Sequence, residues 1–234
     1  MRARVFIRGF GPPDAAMYNA ALPEHQVSAP LAHAFSNITS ELADHGWAVV
    51  DDFVPHEWAA ELLEEQQQLF RRGGFRQAGI GRKGDYQLDK QERGDYILWL
   101  DHGNSLPAQQ QYLTRLEELR RAVNGDLFLG LYESETHAAI YPPGSFYRRH
   151  LDGFQLGNRR TLTAILYLNP RWHAEDGGAL RLYLDPKPGN RFIDVEPRAG
   201  RLVTFLSEQF PHEVLVTRRE RSSITSWFSR RQLQ

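Results

Sequence analysis

"RRTLTAILYLNP", Arg159 to Pro170, alternates with a period of two. Thr161, Thr163, Ile165 and Tyr167 share one face, while Leu162, Leu166 and Leu168 are among the residues facing away. The pattern continues downstream through "GGALRLYLDP", "RFIDVEP", "RLVTFLS", "HEVLVT" and "RSSITSWFS", short runs parted by Gly, Pro and Asn. Upstream, "LFLGLYESETHAAIYPPG" also alternates and stops at Pro142-Pro143-Gly144. Many short strands with turn signals between them predict an antiparallel sandwich or barrel.

The amino-terminal half follows a helical period. Leu31, Phe35, Ile38 and Leu42 recur at three and four, one stripe of an amphipathic helix. "GWAVVDDFV" reads as a short strand over Trp47 to Val50. "PHEWAAELLEEQQQLFRRGG" and "PAQQQYLTRLEELRRAVNG" each open on proline and end at glycine, a well-signalled pair of helices. Helices first and strands after predict an α+β, mainly β fold with helices on one outer face of a β-core. The expected organisation is an arm over 1–28 and a single domain over 29–234. Helical support occupies 29–125 of that domain and the β-core 126–230.

The 234 residues are 41% hydrophobic and 24% charged, an ordinary globular balance. No apolar run is long enough for a transmembrane helix. The first residues are basic but lack the apolar stretch of a signal peptide. The absence of cysteine excludes disulfides and thiolate sites and suits a cytoplasmic setting. A net charge of −1 gives no reason to expect nucleic acid or a membrane surface as partner.

"YRRHLDGF", Tyr147 to Phe154, holds a candidate metal edge. On a strand, His150 and Asp152 would point to the same side. His212, at the entry to "HEVLV", is the candidate third ligand. Two imidazoles and one carboxylate form the facial set of non-haem Fe(II) oxygenases, though zinc accepts it too. A second His-x-acid triplet, His173 to Glu175, lies in a loop with no strand to orient it. Arg221 opens the last strand, which the spacing predicts to run antiparallel beside the strand of His212. Its guanidinium could fork onto a carboxylate near the metal, with the Tyr167 hydroxyl assisting. Arg218 and Arg219 read as a solvated basic turn.

The order Tyr147-x-x-His150-x-Asp152, "RRTLTAILYLNPRW", "GGALRLY", "VEPRAGRLVTF", "HEV" and Arg221 resembles the Fe(II)/2-oxoglutarate-dependent prolyl 4-hydroxylases. It is most similar to their HIF-prolyl-hydroxylase-like branch, where arginine rather than lysine stands at the position of Arg221. The resemblance is strong over 126–230 and weaker through "GWAVVDDF" and "RGDYILWL". It implies a double-stranded β-helix (jelly-roll) core, with His150, Asp152 and His212 on Fe(II) and O2 as oxidant. It further implies Arg221 and Tyr167 on the far carboxylate of 2-oxoglutarate. Tyr141, Tyr147, Ile165, Leu180, Val214 and Trp227 would line that pocket, and Arg160, Asp95 and Trp99 would meet the substrate. The role of Tyr141 is the least secured, because "YPPGSFYRRH" is short for the family.

The implied reaction is C4 hydroxylation of a prolyl residue in a protein, releasing succinate and CO2, with ascorbate (vitamin C) supporting turnover. In a bacterial host the implied partner is elongation factor Tu. The glycine-rich and charged segment over residues 74–96 is expected to be a mobile lid over a peptide. The competing readings are an oxygenase of free amino acids or small molecules, and a cupin-type metal-binding sensor without catalysis.

Overall fold

The computed structural model describes residues 29–79, 91–152, 160–185 and 191–231. In chain order the elements are α1 (Ala29–His45), β1 (Trp47–Val50), α2 (His56–Arg71), β2 (Arg76–Gln77), β3 (Tyr96–Leu100) and α3 (Pro107–Leu127). There follow β4 (Leu131–Tyr141), β5 (Tyr147–His150), β6 (Arg160–Tyr167) and β7 (Leu180–Tyr183). The chain closes with β8 (Phe192–Val195), β9 (Leu202–Leu206), β10 (His212–Val214) and β11 (Arg221–Arg230).

Two antiparallel sheets result. The larger has seven strands in the order β1-β9-β6-β11-β4-β3-β2, and the smaller has four in the order β5-β10-β7-β8. The alternation in "RRTLTAILYLNP" sorts β6 between two apolar layers. Leu162, Ala164, Leu166 and Leu168 join Ile38, Leu62, Leu116 and Leu119 of the helices in one cluster. Ile165 and Tyr167 join Leu180, Leu182, Val195 and Val214 of the smaller sheet in a second. The three helices therefore cover one face of the large sheet, and the other face turns to the small sheet. This is the mainly β arrangement with helices on one face that the hydrophobic periods predict.

Helix boundaries follow local chemistry. Pro107 stands in the first turn of α3, where a missing N–H costs nothing. The Glu65 carboxylate of α2 accepts hydrogen bonds from the backbone N–H groups of Ala108 (2.9 Å) and Gln109 (3.0 Å), satisfying orphan donors at the start of α3. Phe128 then ends α3 in the left-handed region at φ 54°.

Three expectations change. The segment expected as helical support contributes β2 and β3 to the large sheet besides the expected strand β1, and the buried faces of Ala48, Val50, Ile97 and Leu100 complete its apolar layers. β11 does not lie beside β10. It pairs with β4 and β6 in the large sheet, whereas β10 pairs with β5 and β7 in the small one. The cause is length: the ten residues of β11 match β4 along its whole run, and β10 has only three.

The third concerns the lid. Residues 80–90 and the arm 1–28 lie outside the described residues. The flanks of the lid segment are built into the sheets. β2 pairs with β3, Ala78 N donates to Asp95 O at 2.8 Å, and Gly94 N donates to Phe146 O at 3.0 Å. A lid over the whole of 74–96 is thus too broad.

Candidate metal centre and co-substrate pocket

β5 and β10 are antiparallel neighbours, and their register makes His150 and His212 direct partners. Directly opposed residues send their side chains to the same side. The two rings accordingly lie with centroids 4.3 Å apart. Each Nδ1 is committed to a backbone carbonyl: that of His150 to Arg148 O at 2.7 Å, that of His212 to Phe210 O at 3.1 Å. This makes Nδ1 the protonated atom in both rings and leaves each Nε2 lone pair for a metal.

Asp152 completes the set from the turn after β5, not from the strand itself, since β5 ends at His150. The i, i+2 rule thus reaches the right residues by a bent path. Thr163 Oγ1 donates to Asp152 Oδ2 at 2.8 Å and aims the carboxylate. Asp152 Oδ1 lies 3.7 Å from His150 Nε2, and Oδ2 lies 3.6 Å from His212 Nε2. One ligand atom from each of the three falls within 4.8 Å of the others, a spread that one ion can bridge. Among the described residues no other such cluster occurs. His173 instead caps a short 3-10 turn, Ala174–Asp176.

Burial lowers the basicity of His150, and His212 beside it adds to the effect, so its imidazole is neutral. Burial opposes ionisation of Asp152, but His212, His150 and the Trp227 indole outweigh it and hold the carboxyl below its usual range. Two imidazoles and a carboxylate are a donor set suited to a divalent transition metal.

The triad opens on a cavity of about 800 Å³. Of the residues expected around it, Tyr141, Tyr147, Ile165, Leu180, Val214, Trp227, Arg160, Trp99 and Arg221 line it. Tyr147 stacks on His150 with centroids 3.7 Å apart.

Arg221 is 1% exposed. Its Nε donates to Gly178 O at 2.9 Å and its Nη1 to Ser223 Oγ at 3.3 Å. Tyr141 and Tyr167 place their rings 4.9 and 5.0 Å from the guanidinium carbon. Tyr141 is its direct cross-strand partner, which restores that residue to the pocket despite the short spacing before His150. Among the described residues no carboxylate pairs with Arg221. The Tyr167 hydroxyl, also fully buried, has no acceptor among the described residues and lies beside the Arg221 guanidinium; burial raises its pKa to about 12 against the opposing pull of Arg221.

A buried guanidinium with no carboxylate partner among the described residues, and a buried hydroxyl beside it, fit a dicarboxylate whose far end reaches them. "GGAL" supplies the space: Gly178 has φ +66°, and a Cβ there would meet Thr217 Oγ1 at 2.9 Å and Arg221 Cδ at 3.2 Å. Arg219 turns away onto Asp176, and Arg218 reaches only Glu175 O at the surface.

Asp95 does not meet the cavity. It is fully buried and takes a bidentate contact from Arg93, at 2.7 and 2.6 Å. Arg93 is the one of the pair that lines the cavity, with its guanidinium 4.2 Å from the Tyr147 ring centroid. The stack Arg93–Tyr147–His150 thus ties the segment before β3 to a metal ligand. Arg160 stands over Trp227 at 3.5 Å and pairs with Glu135 at 3.1 Å.

Arg93 and His137 are among the lining residues that the sequence pattern did not single out. For Arg93 the signal was its i, i+2 spacing from Asp95. For His137 it was a lone imidazole in the otherwise small and apolar "THAAIY".

Residues 136–229 match the 2OG-Fe(II) oxygenase superfamily. A hypoxia-inducible factor prolyl hydroxylase of Caenorhabditis elegans is 32% identical over an alignment covering 89% of this chain and 30% of that protein. The chain thus spans less than a third of the length of this curated relative. The crystal structure of a Pseudomonas putida prolyl-4-hydroxylase is 43% identical, with TM-score 0.76 over 85% of this chain and 100% of that one. A prolyl hydroxylase from Trichoplax adhaerens, in complex with a hypoxia inducible factor oxygen degradation domain peptide fragment, is 27% identical. It superposes with TM-score 0.75 over 86% of this chain and 90% of that one.

Proposed function

The chain belongs to the 2OG-Fe(II) oxygenase superfamily, in the HIF-prolyl-hydroxylase-like branch, and from that premise we propose that it hydroxylates C4 of a prolyl residue in a protein. The observation that carries the reading is Arg221, a fully buried cation with no carboxylate partner among the described residues, facing the same cavity as the His150, Asp152 and His212 triad. The two facing antiparallel sheets are read as a double-stranded β-helix.

In this reading Nε2 of His150, Nε2 of His212 and a carboxylate oxygen of Asp152 hold Fe(II). Arg221 and the Tyr167 hydroxyl hold the far carboxylate of 2-oxoglutarate, and Thr163 keeps Asp152 aimed. The bound iron and co-substrate supply, with O2, the oxidising power to place a hydroxyl on an unactivated carbon while 2-oxoglutarate leaves as succinate and CO2. The chain's own work is positioning and exclusion of bulk water. Ile165, Leu180 and Val214 keep the inner cavity apolar, and Trp99, Trp227 and Arg160 present an aromatic and cationic mouth to the incoming chain. Ascorbate is the proposed supporting reductant, and the cytoplasm is the proposed setting. If the host is bacterial, elongation factor Tu is the first protein to assay.

The test is 2-oxoglutarate consumption by the iron-loaded protein, with and without host proteins, and mass spectrometry for oxygen added to proline. Consumption stimulated by protein and matched by hydroxyproline supports the reading. Consumption matched instead by an oxidised free amino acid would replace it with the small-molecule alternative.

A further inference from the structure

His137 lies on β4 where the strand register sets Trp99 on one side of it and Thr225 on the other, so the three form one row across the large sheet. Its ring is held between two indoles, with centroids 5.3 Å from Trp99 and 5.0 Å from Trp227. It lines the cavity yet is only 4% exposed. Nδ1 is shut off from solvent and has no hydrogen-bond partner among the described residues. Packing alone does not call for an imidazole here, because a phenyl ring would fill the slot without stranding a nitrogen.

Burial first, then Arg93 and Arg160, lowers the pKa of His137 to about 3, so the ring is neutral and carries a single N–H. An orphaned buried N–H costs more than an orphaned acceptor, which places that proton on Nε2 and leaves Nδ1 as the bare lone pair. The ring's single donor is then Nε2–H. A prolyl residue has no backbone N–H to offer, and its only main-chain polar group is its carbonyl oxygen. A group that grips the target residue by its main chain must therefore be a donor.

We propose that His137 is a substrate-positioning residue whose Nε2–H donates to a main-chain carbonyl of the bound protein segment at the target proline, while Trp99 and Trp227 fix the ring. The inference rests on the protein-substrate reading above and adds the group that sets the register of the chain in the cavity.

The test uses the whole protein loaded with Fe(II) and 2-oxoglutarate, and a library of synthetic peptides with one central proline flanked by randomised positions. Product is read as added oxygen by mass spectrometry, and 2-oxoglutarate affinity is measured separately by calorimetry. His137→Phe keeps the aromatic slot and removes the donor; His137→Gln places an amide N–H near the position of Nε2. A carbonyl buried without its donor predicts a fall in kcat/KM for peptide of about five- to a hundred-fold in His137→Phe, carried mainly by KM. His137→Gln is expected to recover most of that loss, with 2-oxoglutarate affinity within about twofold of wild type in both, since the ring lacks the charge that a carboxylate contact requires.

Unchanged kcat/KM in His137→Phe overturns the inference. So does a His137→Gln protein as impaired as His137→Phe, because shape and not the donor would then matter. A loss of 2-oxoglutarate affinity in both variants overturns it too, by moving His137 to the co-substrate. Failure of the wild-type protein to oxidise any library member strikes instead at the protein-substrate reading from which the inference descends.

Discussion

His150 and His212 stand directly opposite each other across the β5–β10 pair, and their Nδ1 atoms are each tied to the backbone carbonyl two residues earlier in the chain. The metal-facing edge is therefore set by backbone registry before any ion arrives. Replacing His150, Asp152 or His212 by alanine should cost iron affinity at least a hundredfold, while the apo-protein melts within a few degrees of wild type, roughly what small changes at a cavity wall allow. His173→Ala should leave iron content unchanged. Metal analysis and calorimetry on the four proteins check this, and a His212→Ala protein that still loads iron would remove the triad from the account.

Arg221→Ala should weaken 2-oxoglutarate binding by about thirty- to a thousand-fold, the equivalent of about 2–4 kcal/mol for a buried charge-assisted contact. Arg218→Ala and Arg219→Ala should shift it less than about twofold, since both side chains bond surface carbonyls and Asp176 instead. Titration of the iron-loaded proteins with 2-oxoglutarate measures all three. Equal losses would mean a diffuse basic patch and would sink the assignment.

Asp95→Asn should act on stability and not on substrate KM. The change leaves Arg93 without its bidentate partner in a site where Asp95 is fully buried. Breaking one side of such a pair costs about 3–5 kcal/mol. Urea unfolding reads the loss. A stable Asp95→Asn protein with a raised peptide KM would return Asp95 to the substrate-contact role expected from the sequence.

His137 gives the apo-protein a pH dependence with a defined sign. Its folded pKa of about 3 lies below the ordinary histidine value of 6.5, so the unfolded chain binds the proton first. Stability from this group is full above 6.5 and is lost as pH falls, by up to about 1.4 kcal/mol per pH unit down to the folded value. His137→Phe should lack that component. Unfolding free energies of the two proteins, compared across the same window, should diverge toward acid, and parallel curves would contradict the assigned burial.

Much of this was legible in the sequence, for physical reasons that differ by element. The alternation around Ile165 and Tyr167 and the 3–4 spacing of Leu31, Phe35, Ile38 and Leu42 are direct records of burial, so the sheets and helices could be placed. The ligand residues could be named because few side chains bind iron. Which strands would be neighbours was not legible: β10 and β11 are adjacent in sequence but lie in different sheets, a choice made by pairing length across the whole sheet. Asp95 was misplaced because a charged residue beside an aromatic run looks like a surface contact until its partner, Arg93, is seen to bury it. The pocket role of His137 needed the third dimension, since only the pairing of β3 and β11 on either side of β4 brings Trp99 and Trp227 around it.

The central claim is that one cavity couples 2-oxoglutarate breakdown to oxidation of a prolyl carbon in a protein. It is tested most directly by incubating the iron-loaded protein with 2-oxoglutarate, isotopically labelled dioxygen and host proteins, and following the label by mass spectrometry. The account predicts label at C4 of a proline in a protein, in step with succinate formed, and lost in Arg221→Ala. Succinate formation with no label in any protein, or label only in a free small molecule, would contradict it.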